Sequence, residues 1–362
     1  MMAAGMEGID VATAWIRAAK AGDLPLVQSL ASHPGVDPAA RYNAAIRWAA
    51  NNGHLETVRF LVSLPRVDPG AVDNYAIRWA AKHGHMAVVQ LLALLPGVDP
   101  IAHSNGALRW AAGSGHLDIV KFLAAWPGAE PAAADSGALQ LAASHNHLEI
   151  VQFLMTQPGM DPAAKDSAAI RLAAANGHAK VVQYLAAWPG VNAGAQNNSA
   201  MRLAARNGHL DVVHILADQR SVDPTAQGCI ALQLAAKEGH LEIVRFLVSL
   251  PRVDPAANQN AAIQWAARKG HMEVVRFLAS LPSVNPLAVR RMESANGCFE
   301  ITQQAAVRRA AWPRRGPLLV LRRLVHAQRA RSAHRLFGVS SRRRLPLPQH
   351  VNPPNNKRRR QK

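Results

Sequence analysis

Apolar residues recur along most of the chain with a period of 31 residues, in two short runs per period. In the first run an aliphatic residue precedes an alanine pair, as Ile46 precedes Ala49 and Ala50. Because residues three and four apart share one face of a helix, this run predicts a helix with a closely packing face. The second run, such as HLEIVRFL at 240–247, has apolar residues at spacings of two, three and four. It predicts a second, mostly buried helix.

A glycine followed by a histidine separates the two runs and fixes the phase of the repeat. Asn146-His147 fills the one gap in the series, and Gly22 lies one period before the first pair. Glycine can end a helix in the left-handed conformation without steric cost, and asparagine is the next best residue there. The glycines of the pairs are Gly53, Gly84, Gly115, Gly177, Gly208, Gly239 and Gly270.

Asparagine or serine stands ten residues before most of these glycines, with Cys229 as an exception. These residue types accept hydrogen bonds from the free N–H groups of a helix start, so we predict that they are N-caps. A proline near the end of the second run and a Val-Asp-Pro step predict a shaped loop, because proline holds the preceding residue extended. The predicted caps are Asn43, Asn74, Asn105, Ser136, Ser167, Asn198 and Asn260.

The phase of the 31-residue repeat predicts that most of the chain is a stack of small units. Each predicted helix has about ten residues, too few for stability alone, so the units must stabilise one another by stacking. The fold class is therefore an all-α solenoid of helix–turn–helix repeats. We predict an N-terminal lead at 1–11, a degraded C-terminal cap at 288–312 that overlaps the last unit, and a basic, disordered tail at 313–362. The nine units are 12–42, 43–73, 74–104, 105–135, 136–166, 167–197, 198–228, 229–259 and 260–290.

The repeated pattern, aliphatic-x-x-Ala-Ala-x-x-Gly-His-Leu-Glu-x-Val-x-x-Leu followed by Val-Asp-Pro-Ala, resembles the ankyrin repeat. The resemblance implies a non-enzymatic module that binds a protein partner through its concave face and loops. Ala-Ile-Arg-Trp or Ala-Ile-Arg-Leu stands where ankyrin repeats begin with Thr-Pro-Leu-His. The unit is also two residues shorter than the usual ~33, so we expect the β-hairpin fingers to be shortened or absent. In the first unit Asp23 and Pro25 replace the histidine and the glutamate that follow the glycine, which favours an N-terminal cap.

The net charge of +18 lies almost wholly in residues 291–362, which hold 18 basic and 2 acidic residues. Lys/Arg clusters are typical of nuclear import signals and nucleic-acid contacts, which makes a nuclear, nucleic-acid-associated adaptor the alternative function. A disordered solubilising tail and out-of-frame coding sequence are the other interpretations of this segment. The candidate contact residues are Arg342, Arg343, Arg344, Lys357, Arg358, Arg359 and Arg360.

The search for catalytic, disulfide-forming and membrane-spanning sequence motifs does not change the predicted function. The sequence has no Walker loop, no His-Glu-x-x-His and no Gly-x-Ser-x-Gly, so we predict no enzyme activity and no cofactor. Its two cysteines are too few for a disulfide framework, and no segment reads as a secretory signal or a membrane span. We therefore predict an intracellular protein, cytoplasmic or nuclear.

Histidine recurs once per unit from His54 to His271, which would allow a metal ladder or a pH switch. Equivalent residues of stacked helices lie about 8–10 Å apart, whereas zinc needs its ligands within about 2.3 Å of one ion. We therefore predict no metal site. The favoured role is hydrogen bonding across the turn between the two helices.

Two further columns and one variable pair supply the candidate partner-binding residues. An arginine column, with glutamine at 140, 233 and 264, would either form a basic strip or pair with loop aspartates such as Asp68, Asp99 and Asp161. A tryptophan column alternates with leucine and is either packing or an interface anchor. The two residues before each glycine vary between units and so could select the partner. The candidates are Arg47, Arg78, Arg109, Arg171, Arg202, Trp48, Trp79, Trp110, Lys82, His83, Arg206 and Asn207.

Overall fold

The computed structural model describes residues 11–285, and these form nine successive pairs of helices with no strand among them. The nine first helices are α1 (Val11–Ala21), α3 (Ala40–Asn51), α5 (Ala71–Lys82), α7 (Ala102–Ser114), α9 (Ala133–Ser144), α11 (Ala164–Ala175), α13 (Ala195–Asn207), α15 (Ala226–Glu238) and α17 (Ala257–Lys269). The second helices are α2 (Leu24–Ala31), α4 (Leu55–Val62), α6 (Met86–Ala93), α8 (Leu117–Ala124), α10 (Leu148–Leu154), α12 (Ala179–Ala186), α14 (Leu210–Ala217), α16 (Leu241–Ser249) and α18 (Met272–Ala279). The all-α solenoid predicted from the sequence is confirmed. All of the predicted lead at 1–11 except Val11, the cap at 288–312 and the tail at 313–362 lie outside the described residues.

The core runs between the helices along the whole stack. In α5, Ile77, Ala80 and Ala81 are fully buried, and the equivalent residues of the other full units are buried in the same way. Each first helix contacts the next first helix more extensively than consecutive second helices contact each other. The alanines permit this closer approach, so we infer that the row of first helices lies on the inner side of the stack. We call its exposed surface the first-helix face.

The N-terminal end of most first helices differs from the prediction. In α3, Arg41, Tyr42 and Asn43 are left-handed, with φ between 52° and 59°, and the right-handed helix continues after them. The same three-residue left-handed turn occurs in every first helix from α3 to α17. Asn43 and its equivalents form no side-chain cap of their helix, so their assignment as N-caps was wrong.

These asparagines and serines instead hold the loop that ends their own unit. The Asn43 Oδ1 accepts a hydrogen bond from the Asp68 backbone N–H, 25 residues later, at 2.9 Å. Asparagine suits the position for a second reason, because its short polar side chain tolerates positive φ. At the exceptional unit, burial raises the pKa of the Cys229 thiol, and the nearby Asp254 backbone opposes that rise. The other matching pairs are Asn74–Asp99, Ser136–Asp161, Ser167–Asn192, Asn198–Asp223 and Asn260–Asn285.

Val72 is the least suitable residue for such a turn, because it is β-branched and has φ 55°. Replacing Val72 with asparagine is expected to raise the free energy of unfolding by roughly 0.5–1 kcal/mol, since left-handed backbone costs a residue with a Cβ about 1–2 kcal/mol and asparagine less. Urea denaturation followed by far-UV circular dichroism measures the change. Val72→Ala is the control and should give a smaller gain, because alanine keeps the Cβ without the amide. A loss of stability in Val72→Asn would contradict the inference that the backbone at Val72 is strained.

The first unit differs from the later units at the start of its second helix. Asp23 Oδ1 accepts from the Leu26 N–H at 3.0 Å and so caps α2, with a proline in the first turn. Histidine occupies this position in the later units and caps nothing. In the later units this histidine bonds to a carbonyl of the preceding unit, and among the described residues no unit precedes α1.

Candidate functional site

The histidine column joins neighbouring units. The His116 Nε2–H donates to the Lys82 backbone oxygen of the preceding unit at 3.0 Å. The ring also lies against Gly84, where an added Cβ would be 2.6 Å from the ring. The hydrogen-bonding role is therefore confirmed, although the bond links two units instead of crossing one turn. The other donor–acceptor pairs are His54–Lys20, His85–Asn51, His147–Gly113, His178–Ser144, His209–Ala175 and His240–Arg206. Within residues 11–285 no three histidine, cysteine or carboxylate side chains are grouped to hold a metal ion.

Two histidines of this column, His85 and His147, are expected to make the stack sensitive to acid. Burial lowers the pKa of His85 and of His147 below the ordinary value, and neighbouring histidines add to the effect while the bonded carbonyls oppose it. The unfolded chain therefore takes up protons more readily than the folded one. Stability is complete above a pH of about 6.5, the ordinary histidine pKa, and declines as the pH falls through the lower folded-state values. We expect the melting temperature to fall between pH 7.5 and 5.

Replacing His85 and His147 together with glutamine tests this pH dependence, because glutamine keeps a side-chain N–H but does not titrate. The double variant should show a smaller fall in melting temperature over the same pH interval. An unchanged slope would show that other groups control the acid response.

The arginine column lies along the first helices but does not pair with the loop aspartates. Arg171 Nε donates to the Asp166 backbone oxygen at 3.0 Å and its Nη2 to that of Lys165 at 2.8 Å. Both carbonyls belong to the left-handed turn of the same helix, and four further arginines make similar bonds. The proposed pairing with Asp68, Asp99 and Asp161 was wrong for residues 11–285. The other arginines are Arg47, Arg78, Arg109 and Arg202.

Glutamine replaces arginine in this column for the same reason. Gln140, Gln233 and Gln264 each donate to the carbonyl five residues earlier, at 2.6–2.8 Å. The loop aspartates are engaged elsewhere, because the Asp68 Oδ1 accepts from the Gly70 N–H two residues on. The same local bond recurs at Asp99, Asp161, Asp223 and Asp254.

The tryptophan column lies on the first-helix face. Trp48 is 37% exposed, while Trp79 and Trp110 are half-buried and meet edge to face with ring centroids 5.5 Å apart. Leu141 and Leu172 occupy the next two places, and Leu172 is 38% exposed. The column is thus partly packing and partly a surface on which apolar area stays in contact with water.

Lysines of the first-helix face lie over these rings. Lys20 Nζ is 4.5 Å from the centre of Trp48, and Lys82 Nζ is 4.3 Å from that of Trp79 and 5.6 Å from that of Trp110. His83 stacks on Trp79 from one turn later, with centroids 5.2 Å apart. We call this group the aromatic–basic patch, and its members are Lys20, Trp48, Trp79, Lys82, His83 and Trp110.

Sequence reasoning missed Lys20, although the phase could have found it. Lys20 stands two residues before Gly22, as Lys82 stands two before Gly84, so the repeat places both in one column. The other variable positions are less free than expected. Asn207 Nδ2 donates to the Ala175 oxygen at 2.7 Å, beside the bond from His209, while the neighbouring Arg206 is exposed.

Two comparisons with known proteins bear on this arrangement. A family model described as ankyrin repeats in three copies matches residues 15–103, 46–135, 77–166, 139–228, 170–259 and 221–289, which together span 15–289. The chain belongs to the ankyrin repeat family. Ankyrin repeats are in general protein–protein interaction modules without catalytic activity. A search of curated proteins found no significant match. Over the described part of this ankyrin repeat protein, no helix is long and apolar enough to cross a membrane.

Proposed function

We propose that this chain is a non-enzymatic scaffold that binds a protein partner through the first-helix face and the adjoining turns. The main support is how the polar side chains are used. The histidine, asparagine or serine, and arginine or glutamine columns bond to backbone groups of the stack. The aromatic–basic patch presents exposed tryptophan beside lysine between them, and tryptophan is typical of the residues that contribute most to binding at the centre of an interface. The proposal includes an intracellular location.

In this proposal the candidate arginines support the binding surface and do not themselves bind the partner. Arg47, Arg78, Arg109, Arg171 and Arg202 hold the left-handed turns with one or more N–H groups. We infer that they shape the surface and that Trp48, Trp79, Trp110, Lys82 and His83 contact the partner. Arg206 and Asn207 lie farther along the same face.

A triple variant tests the first-helix face. Replacing Trp48, Trp79 and Trp110 with leucine keeps a residue that four other units carry in the same column, so the fold should be retained. We expect the variant to lose the proteins that the full chain captures from an extract of its source cells, with unchanged far-UV circular dichroism. Mass spectrometry of the captured proteins measures the loss.

The matched control replaces Phe60, Phe122 and Phe153 of the second helices with leucine, which Leu91 already carries in that column. This control should capture the same partners as the unchanged protein. Equal capture by the tryptophan variant, or equal loss in both variants, would contradict binding through the first-helix face.

The alternative proposal is a nuclear, nucleic-acid-associated adaptor that uses the tail. Its support is the excess of basic residues in 291–362, whose structure lies outside the described part of the chain. Replacing the seven basic residues at 342–344 and 357–360 with glutamine should then weaken oligonucleotide binding and flatten its salt dependence. Unchanged oligonucleotide affinity would count against this function and leave protein binding untouched.

A further inference from the structure

We propose that the aromatic–basic patch binds an extended acidic segment of the partner, with two carboxylates about six residues apart and apolar side chains between them. The inference rests on the proposed function, because it specifies the chemistry of the partner for the same face. Three properties of the patch lead to it: unneutralised charge, occupied ring faces and the spacing of the lysines.

In the part of the chain that the structure describes, the lysines of the patch have no carboxylate beside them. Across residues 11–285, no carboxylate lies within 4.0 Å of the Lys20 or Lys82 ammonium group. Lys237, in the same column of a later unit, is already paired with Glu238 at 3.9 Å. A ligand that supplies carboxylates would therefore find unpaired charge at Lys20 and Lys82 but not at Lys237.

The aromatic rings already carry cations of the protein, which disfavours a cationic ligand and favours an amphipathic one. One of the protein's own ammonium groups lies over each of Trp48 and Trp79, at 4.5 and 4.3 Å from the ring centre. A guanidinium also reaches into the next unit, because Arg78 Cζ lies 5.2 Å from the centre of Trp110. A second cation would have to displace these groups. Positive charge held against partly exposed apolar rings instead suits a chain in which acidic and apolar residues are close neighbours.

The repeat sets the spacing of the acidic groups. Lys20, Asn51 and Lys82 occupy one position in three successive units. Since each unit advances the stack by about 8–10 Å, the two lysines lie roughly 20 Å apart. An extended peptide covers about 3.3 Å per residue, so six residues span this distance. The neutral Asn51 and Trp48 then face the middle of the segment.

The same spacing argues against a nucleic-acid strand on this face. A strand of duplex DNA carries a charge about every 3.4 Å, and two lysines at roughly 20 Å would leave most phosphates unmet. The column also carries no charge over the next three units, at Gly113, Ser144 and Ala175. The patch therefore ends at α7, and its length suits a short peptide segment.

Selection from a phage-displayed library of random 12-residue peptides on the full chain tests the proposal. We expect the enriched peptides to carry aspartate or glutamate about six positions apart with apolar residues between. By fluorescence anisotropy they should lose tenfold or more in affinity when Lys20 and Lys82 are both replaced with glutamate. The control, Lys121→Glu with Lys180→Glu, makes the same charge change on exposed positions of α8 and α12 and should lose less than threefold.

Several outcomes would contradict the proposal that the patch binds an acidic segment. Enriched peptides without acidic residues, equal losses in the two charge variants, no enrichment at all, or tighter binding of a 20-nucleotide single strand that depends on Lys20 and Lys82 would each do so. The variant with leucine at 48, 79 and 110 distinguishes failure of the acidic-segment proposal from failure of the proposed binding through the first-helix face. If neutral peptides bind the unchanged chain but not this variant, the proposal of an acidic partner is wrong and the proposal of binding through the first-helix face stands. If the peptides bind both proteins equally, binding through the first-helix face is contradicted as well.

Discussion

Replacing Gly84 with alanine is expected to lower the free energy of unfolding by about 2–4 kcal/mol. Gly84 has φ 81°, where a residue with a Cβ pays about 1–2 kcal/mol. The new Cβ would also lie 2.6 Å from the His116 ring, which must shift. That shift weakens the hydrogen bond to the part-buried Lys82 oxygen, and a carbonyl left without its partner costs at most about 1–3 kcal/mol. Guanidinium denaturation followed by far-UV circular dichroism gives the change.

Two matched substitutions separate backbone strain from the contact with histidine. Gly97 has φ 82° and no other described atom within 4 Å of an added Cβ, so Gly97→Ala should cost only about 1–2 kcal/mol. Asn146 occupies the glycine position with φ 65°, so Asn146→Gly is expected to stabilise the protein by removing the Cβ. If Gly84→Ala and Gly97→Ala cost the same, the histidine contact contributes nothing to the loss.

A double-mutant cycle provides an independent check of the same contact. In a chain that already carries His116→Ala, the Gly84→Ala substitution should cost only the backbone term of about 1–2 kcal/mol, because the ring is gone. Additive effects of the two substitutions would contradict direct coupling between Gly84 and His116.

The helices and their packing could be predicted from the sequence because their causes are local. Ile77, Ala80 and Ala81 share one helical face by spacing alone, and all three are buried. Gly84 ends α5 in the left-handed conformation that its residue type favours. Asn146 follows the same rule where glycine is missing.

The left-handed turns could not be predicted because the same residue types suit two structures. Asparagine and serine before a helix are typical of an N-cap, and asparagine is equally suited to positive φ. Only the three-dimensional structure places the Asn43 side chain against the Asp68 N–H. One clue was present in the arginine column, since Gln140 cannot form an ion pair and therefore indicates a backbone partner.

The candidate surface could be predicted in part. The tryptophan column and the variable pair gave five of the six members of the aromatic–basic patch, because a common phase places them on one helical face. Lys20 was missed because the first unit is atypical in its second helix. Among the described residues Lys82 has no carboxylate partner. This depends on which side chains the stack brings near it, and the sequence of one unit does not specify its neighbours in the next.

Replacing Leu139 with alanine is expected to cost about 2–5 kcal/mol, as removal of a fully buried leucine leaves a cavity. Leu139 lies in α9, in the middle of the stack, where units on both sides depend on it. Because a solenoid's stability is a sum of unit and neighbour terms, this loss should broaden the denaturation curve as the two halves unfold separately.

Leu141→Ala is the matched control for this cavity, because it makes the same change in the same helix at a half-buried position of the first-helix face. It should cost about 1 kcal/mol, since less apolar area leaves water at that site, and should leave the transition sharp. A sharp transition in Leu139→Ala would instead mean that all units unfold together. Coupling between neighbours, through contacts such as the His147 bond to the Gly113 oxygen, would then exceed the stability of any single unit.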